Sequence, residues 1–229
     1  MALVFLPGLL CDAALFAPQR AHLGPAHDIT VADLTGFDDI TEMARDVLDR
    51  APPRFTLIGL SMGGYVALEI VRRAADRVER LALIDTSARR DDNETLRLRR
   101  GLIELARKGR FRGVTARLLP RLVHESRLAD KALTGTVMAM AERVGREAYI
   151  RQQTAILNRL DQRDLLPTIG CPVAVAVGDA DAVTPPALSR EMAEAIPAAS
   201  LDVIATCGHL ASLERPERVN AILDRLLSS

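Results

Sequence analysis

The stretch from Phe55 to Val71 constrains this chain more than any other. Phe55 to Gly59 is a short apolar run rich in β-formers, the length of a buried strand. Met62, Val66, Ile70 and Val71 then fall at helical spacing. The period changes on Gly59-Leu60-Ser61-Met62-Gly63. A serine at a sharp strand-to-helix turn takes a strained backbone conformation and projects its hydroxyl beyond the sheet edge. The chain on either side must pass close to itself, and Gly59 and Gly63 are expected to remove the side chains that would collide. The first amides of the helix lack intrahelical partners and sit at the positive end of its dipole, so they favour a developing anion.

Strands and helices alternate around this turn. Ala2 to Leu6 reads as a strand broken by Pro7-Gly8, and Ala13 to Leu23 as a helix closed by Gly24-Pro25. Asp28–Ala32 is a second strand. Thr41–Ala51 is a helix with Thr41 as its cap and Pro52-Pro53 at its end. Arg80–Ile84 is the next strand after the Ser61 helix. This alternation predicts a doubly wound, mostly parallel sheet. From residue 87 to 165 no strand pattern is visible. Helices are predicted over Glu94–Lys108, Phe111–Val123, Arg127–Val144 and Arg146–Leu160. The core pattern resumes with a strand over Pro172–Val177, a helix opened by Pro185-Pro186, a strand over Ser200–Ala205 and a terminal helix through Leu227. The chain therefore divides into a core, residues 1–86 and 166–229, and a helical insertion, residues 87–165.

A length of 229 residues with 48% hydrophobic content is ample for a sizeable core. The net charge of zero gives no overall field for nucleic acid. No apolar run approaches the roughly 20 residues of a membrane span. Met1 to Leu10 lacks the basic start and small-residue cleavage site of a secretion signal, and reads as a buried strand. The three cysteines show neither CxxC nor metal-ligand spacing with histidine, so no metal and no cofactor is expected, and a reduced, cytoplasmic setting is. Basic residues between Arg89 and Arg121 far outnumber Asp91, Asp92, Glu94 and Glu104. That is either a solvated helix face or a site for an anionic substrate, or for an acidic partner such as an acyl carrier.

A serine hydroxyl needs a base and an orienting acid to become a nucleophile. His22, His27 and His124 read as surface residues. His209 lies in a Gly-flanked loop after the last core strand, on the sheet edge that Ser61 faces. Asp85, Asp179 and Asp181 all follow core strands on that edge, and the order Ser…Asp…His holds for each.

With these motifs the chain resembles the α/β-hydrolase superfamily, in its compact serine esterase-like branch with a helical cap. Gly59-Leu60-Ser61-Met62-Gly63-Gly64 is similar to the family's nucleophile elbow. Gly178-Asp179-Ala180-Asp181, followed by Pro185, is similar to its acid loop, and Gly208-His209 with Glu214 and Pro216 to its histidine loop. The resemblance implies a triad of Ser61, Asp181 and His209, with Asp181 chosen over Asp179 and Asp85. It implies an oxyanion hole from the backbone amides of Met62 and Leu9, although Pro7 stands where the family usually has histidine. The two strands that usually precede the oxyanion loop have no counterpart. About six strands are therefore expected, with an exposed edge open to a homodimer.

The implied activity is acyl-enzyme hydrolysis of carboxylic esters with small to medium acyl groups, on a small-molecule acyl substrate. Carbon–carbon bond hydrolases, lactonases and perhydrolases share the triad, and a non-catalytic ligand-binding scaffold shares the fold. The low aromatic content, 3%, predicts an aliphatic pocket, with Leu9, Leu10, Met62, Leu133, Met138 and Met140 as candidate walls. Cys11 and Cys207 are expected to approach the site.

Overall fold

Six parallel strands pair in the order β2-β1-β3-β4-β5-β6. The computed structural model describes residues 1–197 and 199–228. In chain order the elements are β1 (Ala2–Leu6), a 3-10 turn (Ala13–Phe16), α1 (Ala17–Leu23), β2 (Asp28–Val31), α2 (Ile40–Arg50), β3 (Phe55–Leu60), α3 (Met62–Ala74) and β4 (Val78–Ile84). After the insertion come β5 (Val173–Gly178), α6 (Pro186–Ala195), β6 (Ala199–Ile204), α7 (Ala211–Glu214) and α8 (Pro216–Leu227). β3 and β5 are buried along their whole length, as strands covered on both faces must be. Val4, Leu57, Leu83 and Val175 pack with α2, α3 and α6 on one face. Leu3, Ile58, Ala82 and Ala174 pack with α1 and α8 on the other. The sheet is doubly wound and all-parallel, with the strand number the sequence predicts.

Register brings the strand ends level. Leu6 pairs with Gly59, Leu60 with Ile84, Ile84 with Ala176 and Gly178 with Ile204. The loops that follow β1, β3, β4, β5 and β6 therefore open at one edge.

The helical insertion between β4 and β5 carries two long helices, α4 (Asn93–Leu105) and α5 (Lys131–Asn158). Asp92 caps α4 by accepting the Thr95 N–H, and Asp130 caps α5 by accepting from Ala132 and Leu133. α5 breaks at Gly145, whose φ of 75° leaves the helical region, between the two helices predicted there. The helix expected over Phe111–Val123 does not form. Gly113 takes a φ of 61°, and only a 3-10 turn at Leu119–Arg121 follows. The cap of α2 is Asp39, which accepts from Thr41 and Glu42, rather than Thr41 itself. No helix among the described residues is long and apolar enough to cross a membrane.

Candidate active site

Ser61 has φ 54° and ψ −117°, a region few non-glycine residues enter. Holding it there costs about 1–3 kcal/mol. Its neighbours supply the restraint: the Ser61 N–H donates to the Ile84 carbonyl at 3.0 Å, and the Ser61 carbonyl accepts from the Gly64 N–H at 2.9 Å and the Thr86 hydroxyl at 2.7 Å. A Cβ on Gly59 would lie 2.6 Å from the Gly63 carbonyl oxygen, the collision the sequence predicts. Gly63 has a different neighbour. Its Cβ would fall 1.9 Å from the Leu6 carbonyl oxygen, so the elbow is pressed onto β1 as well as onto itself.

Ser61 shares this strain with three other residues. The described non-glycine residues with positive φ are Leu10, Ser61, Asp85 and Thr206, which follow β1, β3, β4 and β6 at the same edge.

The Ser61 hydroxyl oxygen lies 2.9 Å from His209 Nε2, and His209 Nδ1 lies 2.8 Å from Asp181 Oδ2. Asp181 accepts further hydrogen bonds from the Val183 and Thr184 N–H groups and from the Thr184 hydroxyl. The two rival aspartates serve the backbone instead. Asp85 accepts from the Gly178 and Ala211 N–H groups, tying the acid loop to the histidine loop. Asp179 accepts from the Cys207 N–H. Glu214, fully buried, accepts from the N–H groups of Gly208, Leu210 and His124, so one carboxylate shapes the loop around His209. Sequence reading singled out neither Asp85 nor Glu214 for this bracing. In the sequence Glu214 shows only as an acid five residues past the loop histidine, within the stretch that resembles the family's histidine loop.

Burial alone would hold His209 neutral, but the Asp181 carboxylate, its hydrogen bond and the charges of Asp85 and Glu214 outweigh it. The imidazole is raised above its ordinary value. Burial pushes Asp181 up, yet the facing imidazole and the Thr184 bonds prevail and hold its carboxyl below the usual range. Burial and the neighbouring Asp181 charge push Asp85 well above it.

Met62 opens α3, where its amide has no intrahelical partner. The loop from Pro7 to Leu10 adjoins the elbow, since a Cβ on Gly8 would lie 3.3 Å from the Ser61 Cβ. A cavity of about 780 Å³ lies above Ser61 and His209, with Leu9 and Leu10 in its wall. The insertion supplies much of the rest. Leu98, Leu102 and Leu105 of α4 and Leu118 line it, all of them partly exposed. Of the other expected wall residues, Met62, Leu133 and Met140 are core, and Met138 lines a separate groove beside Lys131 and Gly135. The pocket is also less aliphatic than composition predicts. Tyr65, Phe111 and Tyr149 line it, and the Phe111 and Tyr149 rings stand 5.0 Å apart. Few aromatics in the chain does not mean few in the pocket, because both of its tyrosines are spent there. Cys11 reaches the cavity wall, whereas Cys207 is fully buried in the core. His22 is exposed and pairs with Asp224, as a surface histidine should.

A sequence model described as the alpha/beta hydrolase family matches residues 3–222. The chain belongs to that family. A thermophilic esterase from Thermogutta terrifontis with malate bound superposes with a TM-score of 0.89 at 31% identity, covering 100% of this chain and 89% of that one. The enol-lactonase from Burkholderia xenovorans LB400 also gives 0.89, at 25% identity, covering 100% and 91%. Among curated relatives, a pimeloyl-[acyl-carrier protein] methyl ester esterase of Xanthomonas oryzae is 29% identical over 100% of this chain and 95% of its own length. As an alpha/beta hydrolase, the chain carries its elbow after β3 and its histidine loop after the last strand, β6. Among the described residues, no group of three or more His, Cys, Asp or Glu side chains is arranged to hold a metal ion.

Proposed function

We propose that this protein is a serine carboxylesterase that works through an acyl-enzyme. The observation that carries the reading is the unbroken chain Ser61 Oγ–His209–Asp181, at 2.9 and 2.8 Å, opening into a cavity. Ser61 Oγ attacks the ester carbonyl while His209 Nε2 takes its proton. Asp181 fixes the tautomer and stabilises the imidazolium. The Met62 and Leu9 amides receive the oxyanion, and losing one such donor costs about 3–4 kcal/mol. His209 returns the proton to the departing alkoxide. It then takes a proton from the water that attacks the acyl-enzyme and gives it to the departing Ser61 Oγ, freeing the acid and restoring the serine hydroxyl.

The cavity supports a finer reading of the substrate: an ester with an aliphatic body and an anionic far end. Half of the pocket arginines are spent, Arg89 on Glu191, Arg99 and Arg159 on Asp91, and Arg163 on Asp161. Arg90, Arg110, Arg112 and Arg121 line the same cavity and form no ion pair among the described residues. The curated relatives that act on pimeloyl-[acyl-carrier protein] methyl esters are consistent with such a substrate.

One panel tests both levels. Purified protein is assayed on p-nitrophenyl esters of increasing chain length, and on methyl half-esters of dicarboxylic acids beside neutral methyl esters of equal length. Native protein is expected to turn over esters and to be labelled at Ser61 by a fluorophosphonate. Ser61→Ala is expected to do neither while remaining folded. Turnover by Ser61→Ala sinks the nucleophile, and an unlabelled, inactive native protein means a ligand-binding scaffold. The half-esters are expected to show a KM about tenfold below their neutral counterparts, lost in 1 M salt and in Arg110→Ala/Arg112→Ala. Equal KM values remove the anionic end and leave the esterase.

A further inference from the structure

We infer that Gln152, on α5 of the helical insertion, is a positioning residue for the oxyanion loop. This rests on the reading of Ser61 as nucleophile and of the Leu9 amide as an oxyanion donor.

The loop has little to hold it in place. Pro7 has no N–H to give. Within the loop, the Gly8 carbonyl accepts the Cys11 N–H at 3.1 Å. Leu10 sits at φ 59°, a left-handed conformation that a leucine does not keep unaided. The restraint comes from far along the chain. The buried Leu10 N–H donates to Gln152 Oε1 at 3.0 Å. Among the described residues, no other side chain from beyond Cys11 bonds the backbone of Pro7 to Leu10.

The consequence reaches the donor through peptide geometry. The Leu9 carbonyl and the Leu10 N–H belong to one rigid plane. Holding that N–H holds the plane, which includes the Leu9 Cα. The Leu9 N–H is one bond further back from that plane, in a loop whose Gly8 adjoins Ser61, so its freedom to move is reduced. Gln152 is itself locked. It is fully buried, and its Nε2 donates to the Leu34 carbonyl at 3.2 Å in the loop after β2. Next to it, Arg151 Nε donates to the Thr35 carbonyl at 2.7 Å. The second half of α5 is thus docked on the loops after β1 and β2 together. A helix that walls the pocket also sets the oxyanion hole.

A plain packing role predicts something different from a positioning role, and kinetics separates them. Gln152→Met keeps the volume and removes both the donor and the acceptor. Rates are taken per active site, counted by fluorophosphonate titration, so that unfolded molecules do not enter. The expected result is a kcat about 10- to 100-fold lower with KM within about twofold. The inhibition constant of an alkyl boronic acid, which forms a tetrahedral adduct on the serine, is expected to rise by the factor by which kcat/KM falls. A kcat per site within about twofold of native overturns the inference, as does a lower kcat with unchanged boronate affinity. If Gln152→Met does not fold, Gln152→Asn draws the amide back by one methylene and is held to the same two results. Ser61→Ala runs beside them. If it keeps activity, the nucleophile reading fails. If it is inactive while Gln152→Met behaves as native, the positioning role alone fails.

Discussion

His209 meets Asp181 directly and feels Asp85 only as a charge, because both Asp85 oxygens are occupied by backbone N–H groups. That division decides the pH dependence. The base must be neutral to take the Ser61 proton. Its pKa is raised because Asp181, Asp85 and Glu214 outweigh burial. The rate should therefore fall as pH drops through an inflection above the ordinary histidine value of about 6.5. In Asp181→Asn the largest opposing charge is gone, so the inflection should move to lower pH, with kcat reduced by a factor on the order of 10⁴. A pH profile of kcat/KM for both proteins checks this, and a native rate flat down to pH 5 excludes His209 as the base. Ser61 and His209 were legible as a pair from the elbow and the Gly-His loop. The acid was not legible from position, since Asp85, Asp179 and Asp181 all follow strands at one edge. What separates them is which carboxylate turns an oxygen to His209 Nδ1, as Asp181 does with Oδ2 while its Oδ1 takes the backbone N–H groups, and that depends on how the loops meet.

The insertion is closed by one carboxylate. Asp91, just before α4, accepts from Arg99 and from Arg159, the residue after α5. Arg159 also donates to the Arg89 and Ile156 carbonyls and stacks on Tyr65, 4.2 Å from the ring centre. The two ends of the insertion are thus pinned to each other and to α3. Burial pushes Asp91 up, but its two arginines hold it below the usual carboxylate range. Removing it strips the buried Arg159 guanidinium of its hydrogen-bonded counter-charge. Asp91→Ala should lower the unfolding free energy by about 3 kcal/mol, read from urea midpoints at constant m-value. A loss under about 1 kcal/mol means that the pair carries no more than a surface bridge does. The core elements were legible because each strand is an apolar run and each helix has a stop signal. The insertion was not. Phe111–Val123 has helical composition, yet Gly113 turns left-handed and the segment bonds to its surroundings instead, with the Leu122 carbonyl accepting the His209 N–H. Leu98, Leu102 and Leu105 lie in the helix expected over Glu94–Lys108 but are not among the candidate wall residues, and only the fold shows that this face looks onto the cavity.

At the scale of the molecule, packing tests whether the site and the core form one cooperative body. Cys11 and Cys207 flank the site in sequence, but their thiols belong to the apolar cluster under α1 and α8. Burial, with the charge of Asp12, pushes the Cys11 thiol up to about 12. Burial, with Asp85 and Glu214, pushes Cys207 up as well. Cys171 is only half-buried, though burial raises it too. Thiolate is the reactive form, so both loop cysteines are slow to react in the closed fold, although Cys11 reaches the cavity wall. Native protein with excess Ellman's reagent at pH 8 should keep its esterase rate and modify at most Cys171 quickly. Cys11 and Cys207 should react together, at rates that rise with urea along the global unfolding free energy. If Cys11 reacts early and alone, the loop after β1 opens independently of the sheet. The bond from Gln152 would then be too weak to confine it, and the oxyanion loop would have to be ordered by substrate.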